Sequence, residues 1–267
     1  MIEIVTTVVF LHAHPDDEAS QTSGTMARLV QEGHRVVAVF ATNGEHGTVP
    51  DDLAPGESVI DRRKAEALAA AAIIGIARVE FLGYQDSGMT GWEQNAHPEC
   101  LVQADVDEAA GRLVAILDDE SAEVVVGYDW HGNYGHPDHI AVHNVVHRAA
   151  ELAARRPRVF EQTTNQDDAQ RMAARAVAAG LALEEMEMVG DDGLPMGLPE
   201  SDLHWRVDVT DYLELKRAAL AAHASQSDTQ WMLSVPEQAF RDWLGFEHYR
   251  EPGRSGPMTT AWPFTDS

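Results

Sequence analysis

A histidine and two adjacent aspartates are crowded into His14-Pro15-Asp16-Asp17-Glu18, directly after an apolar run. Two more histidines flank an aspartate in His136-Pro137-Asp138-His139, after a second apolar run more than a hundred residues later. His14 and Asp17, three apart, joined by a distant histidine such as His139, supply the mixed nitrogen and oxygen set that holds a catalytic zinc with one coordination position open. Asp16 is then left over. An unligated carboxylate beside such a centre can take a proton while water attacks a carbonyl, which is hydrolase chemistry. Either His-Pro-Asp triplet alone reads as a turn or a helix start, with the aspartate capping backbone N–H groups. Their joint occurrence after two apolar runs points to a shared site.

Two distant segments meet only if a scaffold brings them together, and the hydrophobic pattern describes one. Strands are expected over 8–12, 36–42, 79–82 and 124–128. They alternate with helical stretches near 18–32, 58–74, 104–117 and 138–154. Strand, helix, strand in repetition predicts a Rossmann-like α/β fold: a mostly parallel sheet with helices on both faces, whose strand ends gather ligands. The pattern weakens after Arg155-Arg156-Pro157, where a less regular C-terminal portion begins. A helix over 166–179, a strand over 182–189, a breaker-rich loop over 191–199 and a helix over 210–224 are expected there, then an extended tail from Pro252. The chain reads as a single domain over 1–267, with room for a smaller subdomain from about 158.

The motifs also resemble a known family. Ala13 to Glu18 is similar to the AHPDDE signature of the LmbE-like, or PIG-L, zinc-dependent N-deacetylases, and His136 to His139 to their HPDH element. Thr42, Gly44, Glu45 and Gly47 resemble the family's TxGExG loop; Arg63 and Glu66, with Gly75, its RxxE helix; and Leu82-Gly83 with Asp86-Ser87-Gly88-Met89 its LGxxDSGM segment. Leu220 to Gln226 and Glu247-His248-Tyr249 look like elements of the actinobacterial branch that contains the mycothiol-pathway deacetylase and amidase.

That resemblance implies roles. His14, Asp17 and His139 would be the ligands of one zinc ion, with iron(II) an alternative that the same donors admit. Asp16 would be the general base. His136 would support the oxyanion or protonate the leaving amine, with Asp138 orienting it, and Tyr134 matches the tyrosine of the YGHPDH variant, whose phenol can donate to the oxyanion. Arg63 and Asp86 correspond to positions that contact sugar or cyclitol hydroxyls in the mycothiol-pathway relatives. Gln21 stands where the conjugate amidases carry lysine and the inositol-sugar deacetylase serine. The activity implied is removal of acetyl from an N-acetylglucosamine-type small molecule, releasing acetate and a free amine. An amidase of thiol or sugar conjugates is the alternative, and a non-catalytic metal-binding module the alternative of another class. A metal-dependent phosphoesterase is disfavoured because the sequence lacks a second metal cluster.

Composition narrows the partners. Against 19 basic residues stand 44 acidic ones, a formal charge of −25, which repels polyanions and leaves no electrostatic footprint for nucleic acid. The early acid of Met1-Ile2-Glu3-Ile4-Val5 and the lack of any run near the ~20 apolar residues of a membrane span predict a cytoplasmic protein. One cysteine, Cys100, excludes an internal disulfide framework and reads as a small apolar residue. His12 reads as a core residue, and His143 and His147 as helix periodicity. His46 and His131 are left open between pocket and loop.

Overall fold

The computed structural model describes residues 5–178 and 189–265. In chain order it contains β1 (Thr7–His12), α1 (Ser23–Gln31), β2 (Arg35–Thr42), α2 (Val59–Ile74), β3 (Arg78–Tyr84), α3 (Val106–Asp119), β4 (Val124–Tyr128), a kinked turn α4 (Gly132–Gly135) and α5 (Pro137–Leu152). There follow β5 (Arg158–Thr163), α6 (Gln166–Ala178), β6 (Trp205–Asp208), α7 (Leu213–Ala222), α8 (Ser227–Ser234), α9 (Glu237–Leu244), β7 (Phe246–Arg250) and β8 (Thr259–Thr260). The strand expected over 182–189 lies almost wholly outside the described residues. None of the described helices is long and apolar enough to cross a membrane.

One eight-stranded sheet runs in the order β3-β2-β1-β4-β5-β7-β6-β8. The pairs from β3 to β5 are parallel, and β7 runs antiparallel to both β5 and β6. The parallel centre explains the unbroken apolar runs: every residue of β1 and of β4 is buried, because helices cover both faces. Val9, Leu11, Val37 and Val125 pack with α3 and α5 on one side, and Val8, Phe10, Val36 and Val126 with α1, α7 and α9 on the other. After β1 the chain winds outward to β2 and β3; β4 returns to the free side of β1 and leads to β5. The winding direction therefore reverses between β1 and β4, and the loops that leave these two neighbours carry His14 and His136. Open α/β sheets bind ligands at such a reversal.

Helix boundaries follow local chemistry. Ser58 and Asp61 form a reciprocal capping box at the start of α2, which ends on Gly75 in a left-handed conformation. The continuous helix expected over 18–32 is instead a π-helical turn, Glu18–Thr22, followed by α1. Such wide turns occur where a chain must re-aim side chains. Gly24 opens α1 against the C-terminal portion, and a Cβ there would come within 2.6 Å of Val209.

The strands beyond residue 158 continue the same sheet, and one buried charge cluster binds them to the N-terminal half. Glu247 of β7 accepts the backbone N–H groups of Gly24 and Thr25 at 3.0 and 2.9 Å, and Lys216 of α7 donates to it at 2.6 Å. Both side chains of the ion pair are at most 2% exposed. Removing one partner strands a buried charge, so Glu247→Ala is expected to cost about 3–5 kcal/mol of unfolding free energy in urea titrations. Adding Lys216→Met in the same chain should recover much of that loss.

Candidate active site

His14 follows the end of β1, and the backbone turns at once so that its neighbours diverge. Asp16 has φ of 126°, a strained conformation for a residue with a side chain, held by its own N–H donating to Glu18 at 2.9 Å. Asp17 then folds back and accepts the backbone N–H of His14 at 2.8 Å. Across the reversal, Pro137 starts α5 and His136 caps it, its Nδ1 accepting the N–H of Asp138 at 3.1 Å. This places His139 in the first turn of α5, fully buried. Gly132 (φ +64°) lets α4 lie on that turn, where a Cβ would meet His139 at 2.6 Å.

The three residues expected to bind metal converge. His14 Nδ1 and His139 Nε2 lie 3.4 and 3.3 Å from the same oxygen of Asp17, and all three residues are buried. Two imidazole nitrogens and a carboxylate oxygen within 4.8 Å of one another suit a divalent cation with a position left over. The surrounding charge agrees. Asp16, Asp17, Asp86 and Asp138 cluster around His14, and among the described residues the only arginine or lysine bonded to any of them is Arg63. Burial alone would raise the Asp17 carboxyl, but His139 and His14 hold it well below the usual range.

Asp138 takes a different place from the one expected. Only its backbone N–H reaches His136. Its carboxylate accepts the Ser87 N–H at 2.9 Å, accepts the Ser87 hydroxyl, and lies 3.2 Å from His14 Nε2. The carboxylate thus bonds His14 and Ser87, while its hydrogen-bonded contact with His136 runs through the backbone N–H. A proton on Nε2, held by Asp138, leaves the Nδ1 lone pair facing Asp17. His136, whose Nδ1 accepts a backbone N–H, carries its own proton on Nε2. Burial and the adjacent imidazoles push His136 down to about 2, so it stays neutral.

Arg63 borders the cleft and also binds within the protein. Of its two terminal nitrogens, one donates to Gly44 O at 2.5 Å and the other to Pro15 O and, at 2.8 Å, to Asp16. The Arg63 side chain is 3% exposed and fixes Asp16, which burial pushes up to about 6 against the pull of Arg63. Asp86 accepts the N–H groups of Gly88 and His46 at 2.8 and 3.3 Å and lies 3.6 Å from His14 Nε2. The phenol of Tyr134 sits 3.2 Å from His139 Nε2, and burial, then Asp17 and Asp16, raise it well above its ordinary value, keeping it protonated.

His14, Asp16, Asp17, Arg63, Asp86, Tyr134 and His136 line one cleft of about 960 Å³, and His46 borders it too. His131 instead pairs with Asp192 at 2.7 Å, in the breaker-rich loop that closes on α4. Several supporting contacts are set by packing. Gln21 donates to the second oxygen of Asp17 at 2.9 Å, leaving the first to the histidines. The ring of Tyr128 stacks on His139 at 4.2 Å and 11°, while its hydroxyl accepts the Ala13 N–H and meets His12. His223 pairs with Glu18 at 2.6 Å, and Ser225 donates to Glu66. His12 is a core residue, satisfied by Tyr128 and Thr22.

Comparison with known proteins bears on this arrangement. Residues 9–150 match the family described as PIG-L: GlcNAc-PI de-N-acetylase. The chain is 36% identical to a 1D-myo-inositol 2-acetamido-2-deoxy-alpha-D-glucopyranoside deacetylase of Thermobispora bispora, over 96% of this chain and 91% of that one. Its fold is similar to that of a conserved protein of Thermus thermophilus, with a TM-score of 0.63 at 20% identity, covering 99% of this chain and 100% of the other. It is similar as well to an N,N'-diacetylchitobiose deacetylase of Pyrococcus horikoshii, with a TM-score of 0.56 at 20% identity over 92% and 83% of the two chains.

If Asp138 acts through His14, Asp138→Ala should weaken divalent-metal affinity about 10- to 100-fold, as loss of an outer partner of a metal-binding histidine does. Competition against a chromophoric chelator measures this, and an unchanged affinity would place Asp138 elsewhere in the chemistry.

Proposed function

The chain belongs to the PIG-L, or GlcNAc-PI de-N-acetylase, family, and on that premise we propose that it is a zinc-dependent hydrolase removing acetyl from an N-acetylated glucosaminide of small-molecule size. The observation that carries this reading is the division of labour between adjacent aspartates. Asp17 turns toward His14 and His139, while Asp16 turns to Arg63. Zinc held by His14, Asp17 and His139 would polarise the amide carbonyl and bring the pKa of a water close to neutrality.

The protein's own groups supply the rest. Asp16, aimed by Arg63, takes the proton of the attacking water and then carries it to the leaving amine, so that acetate and a free amine depart and the carboxylate is restored. His136 Nε2–H and the Tyr134 hydroxyl are two neutral donors bordering the cleft beside His14 and His139, suited to the oxygen that becomes negative at the tetrahedral carbon. Their neutrality matters, since a donor that keeps its proton can serve every turnover. The volume of the cleft, about 960 Å³, is at the upper end of ligand sites and exceeds what one sugar ring fills. An inositol-linked N-acetylglucosamine is the substrate class we favour.

Asp16→Asn should retain metal and lower acetate release by about two or more orders of magnitude, the scale of lost general-base help. Near-normal turnover in that variant would refute the base and revive a binding-only role. Arg63 gives a second test. Because its guanidinium aims Asp16, Arg63→Ala should reduce kcat on free N-acetylglucosamine and on its inositol conjugate alike. A loss confined to the conjugate would return Arg63 to substrate hydroxyls instead.

A further inference from the structure

A second set of metal-binding side chains lies outside this cleft. His139, His143 and His147 recur every four residues along α5 and so share one helix face, the first serving the reaction centre. Glu161 of β5 completes the outer pair: His147 Nε2 is 2.7 Å and His143 Nδ1 3.8 Å from the same carboxylate oxygen. The two imidazole rings are 4.4 Å apart between centroids. Ligands around a zinc at ~2.0–2.1 Å stand roughly 3.3 Å from each other, and these separations bracket that value.

Glu161 has an outer partner suited to such a site. Arg250 donates to the other oxygen of Glu161 at 2.6 Å, which keeps the carboxylate ionised and leaves its first oxygen to the histidines. His143 Nδ1 donates to the Tyr128 carbonyl at 3.0 Å, so an ion bound at this nitrogen displaces that proton and takes the place of that contact. Glu161 is 1% exposed, whereas the side chain of His147 is 35% exposed, so an ion can enter from solvent and keep a water.

We propose that His143, His147 and Glu161 form a second divalent-cation site, of zinc type by its two nitrogens and one carboxylate, which ties α5 to β5. The site is independent of acetyl removal. Its test is metal stoichiometry, read by titrating the purified protein with zinc(II) against a chromophoric chelator. His143→Ala with His147→Ala should bind one equivalent fewer than the parent chain. The same decrement should appear in an Asp17→Ala, His139→Ala background, which separates this site from the reaction centre. His147→Ala alone, at a partly exposed position that spares the fold, should weaken that equivalent by at least about tenfold. Unchanged stoichiometry in the double variant, with its circular dichroism intact, would overturn the site and leave the cluster a hydrogen-bonded surface contact.

Discussion

The pairing of β1 with β4 in the middle of a parallel sheet is the constraint on which the site depends. Each strand is buried along its whole length, so neither can slip in register without turning apolar side chains onto a polar edge. Parallel strands also end at the same edge. The loop after β1 and the loop after β4 therefore leave side by side, and residues more than a hundred positions apart reach one another across a single strand spacing. A histidine and a carboxylate from the first loop, with a histidine from the second, form a donor set because the sheet holds its two central strands fixed.

Around that set the structure places partners at fixed angles. Asp138 and Ser87 fix the proton of His14, Tyr128 supports the ring of His139, and Gln21 occupies the spare oxygen of Asp17. Each of the three residues proposed to hold the cation thus has one neighbour that limits its rotation, which lowers the reorganisation needed when a cation or a substrate arrives. Arg63 treats Asp16 in the same way. The result is that two aspartates adjacent in sequence have different surroundings, one between imidazoles and the other beside a guanidinium.

The C-terminal portion is part of this support. Glu247 holds the start of α1, and His223 reaches back to Glu18, whose carboxylate also accepts the N–H of Asp16. Gln226 meets the backbone of Thr48 at the rim of the cleft. Hydrogen bonds thereby link α7 and β7 to the strained turn at Asp16.

Much of this was open to inspection in the chain itself. The buried runs at 8–12, 36–42 and 124–128 announced central strands, since only a strand covered on both faces reads as unbroken Val, Phe and Ala. The residues of the two His-Pro-Asp segments do gather at one edge. Side-chain direction was not available from the order of residues. Asp138 follows His136 by two, yet its carboxylate lies 3.2 Å from His14; Arg63, read from the chain as a substrate contact, borders the cleft and also donates to Asp16, Gly44 and Pro15. Glu161 beside His143 and His147, and Tyr128 beneath His139, come from neighbouring strands and carry no spacing signal. Periodicity and motif spacing record which residues share an element, because helix and strand geometry are local. Which carboxylate meets which imidazole depends on how elements pack, and only the folded chain decides that.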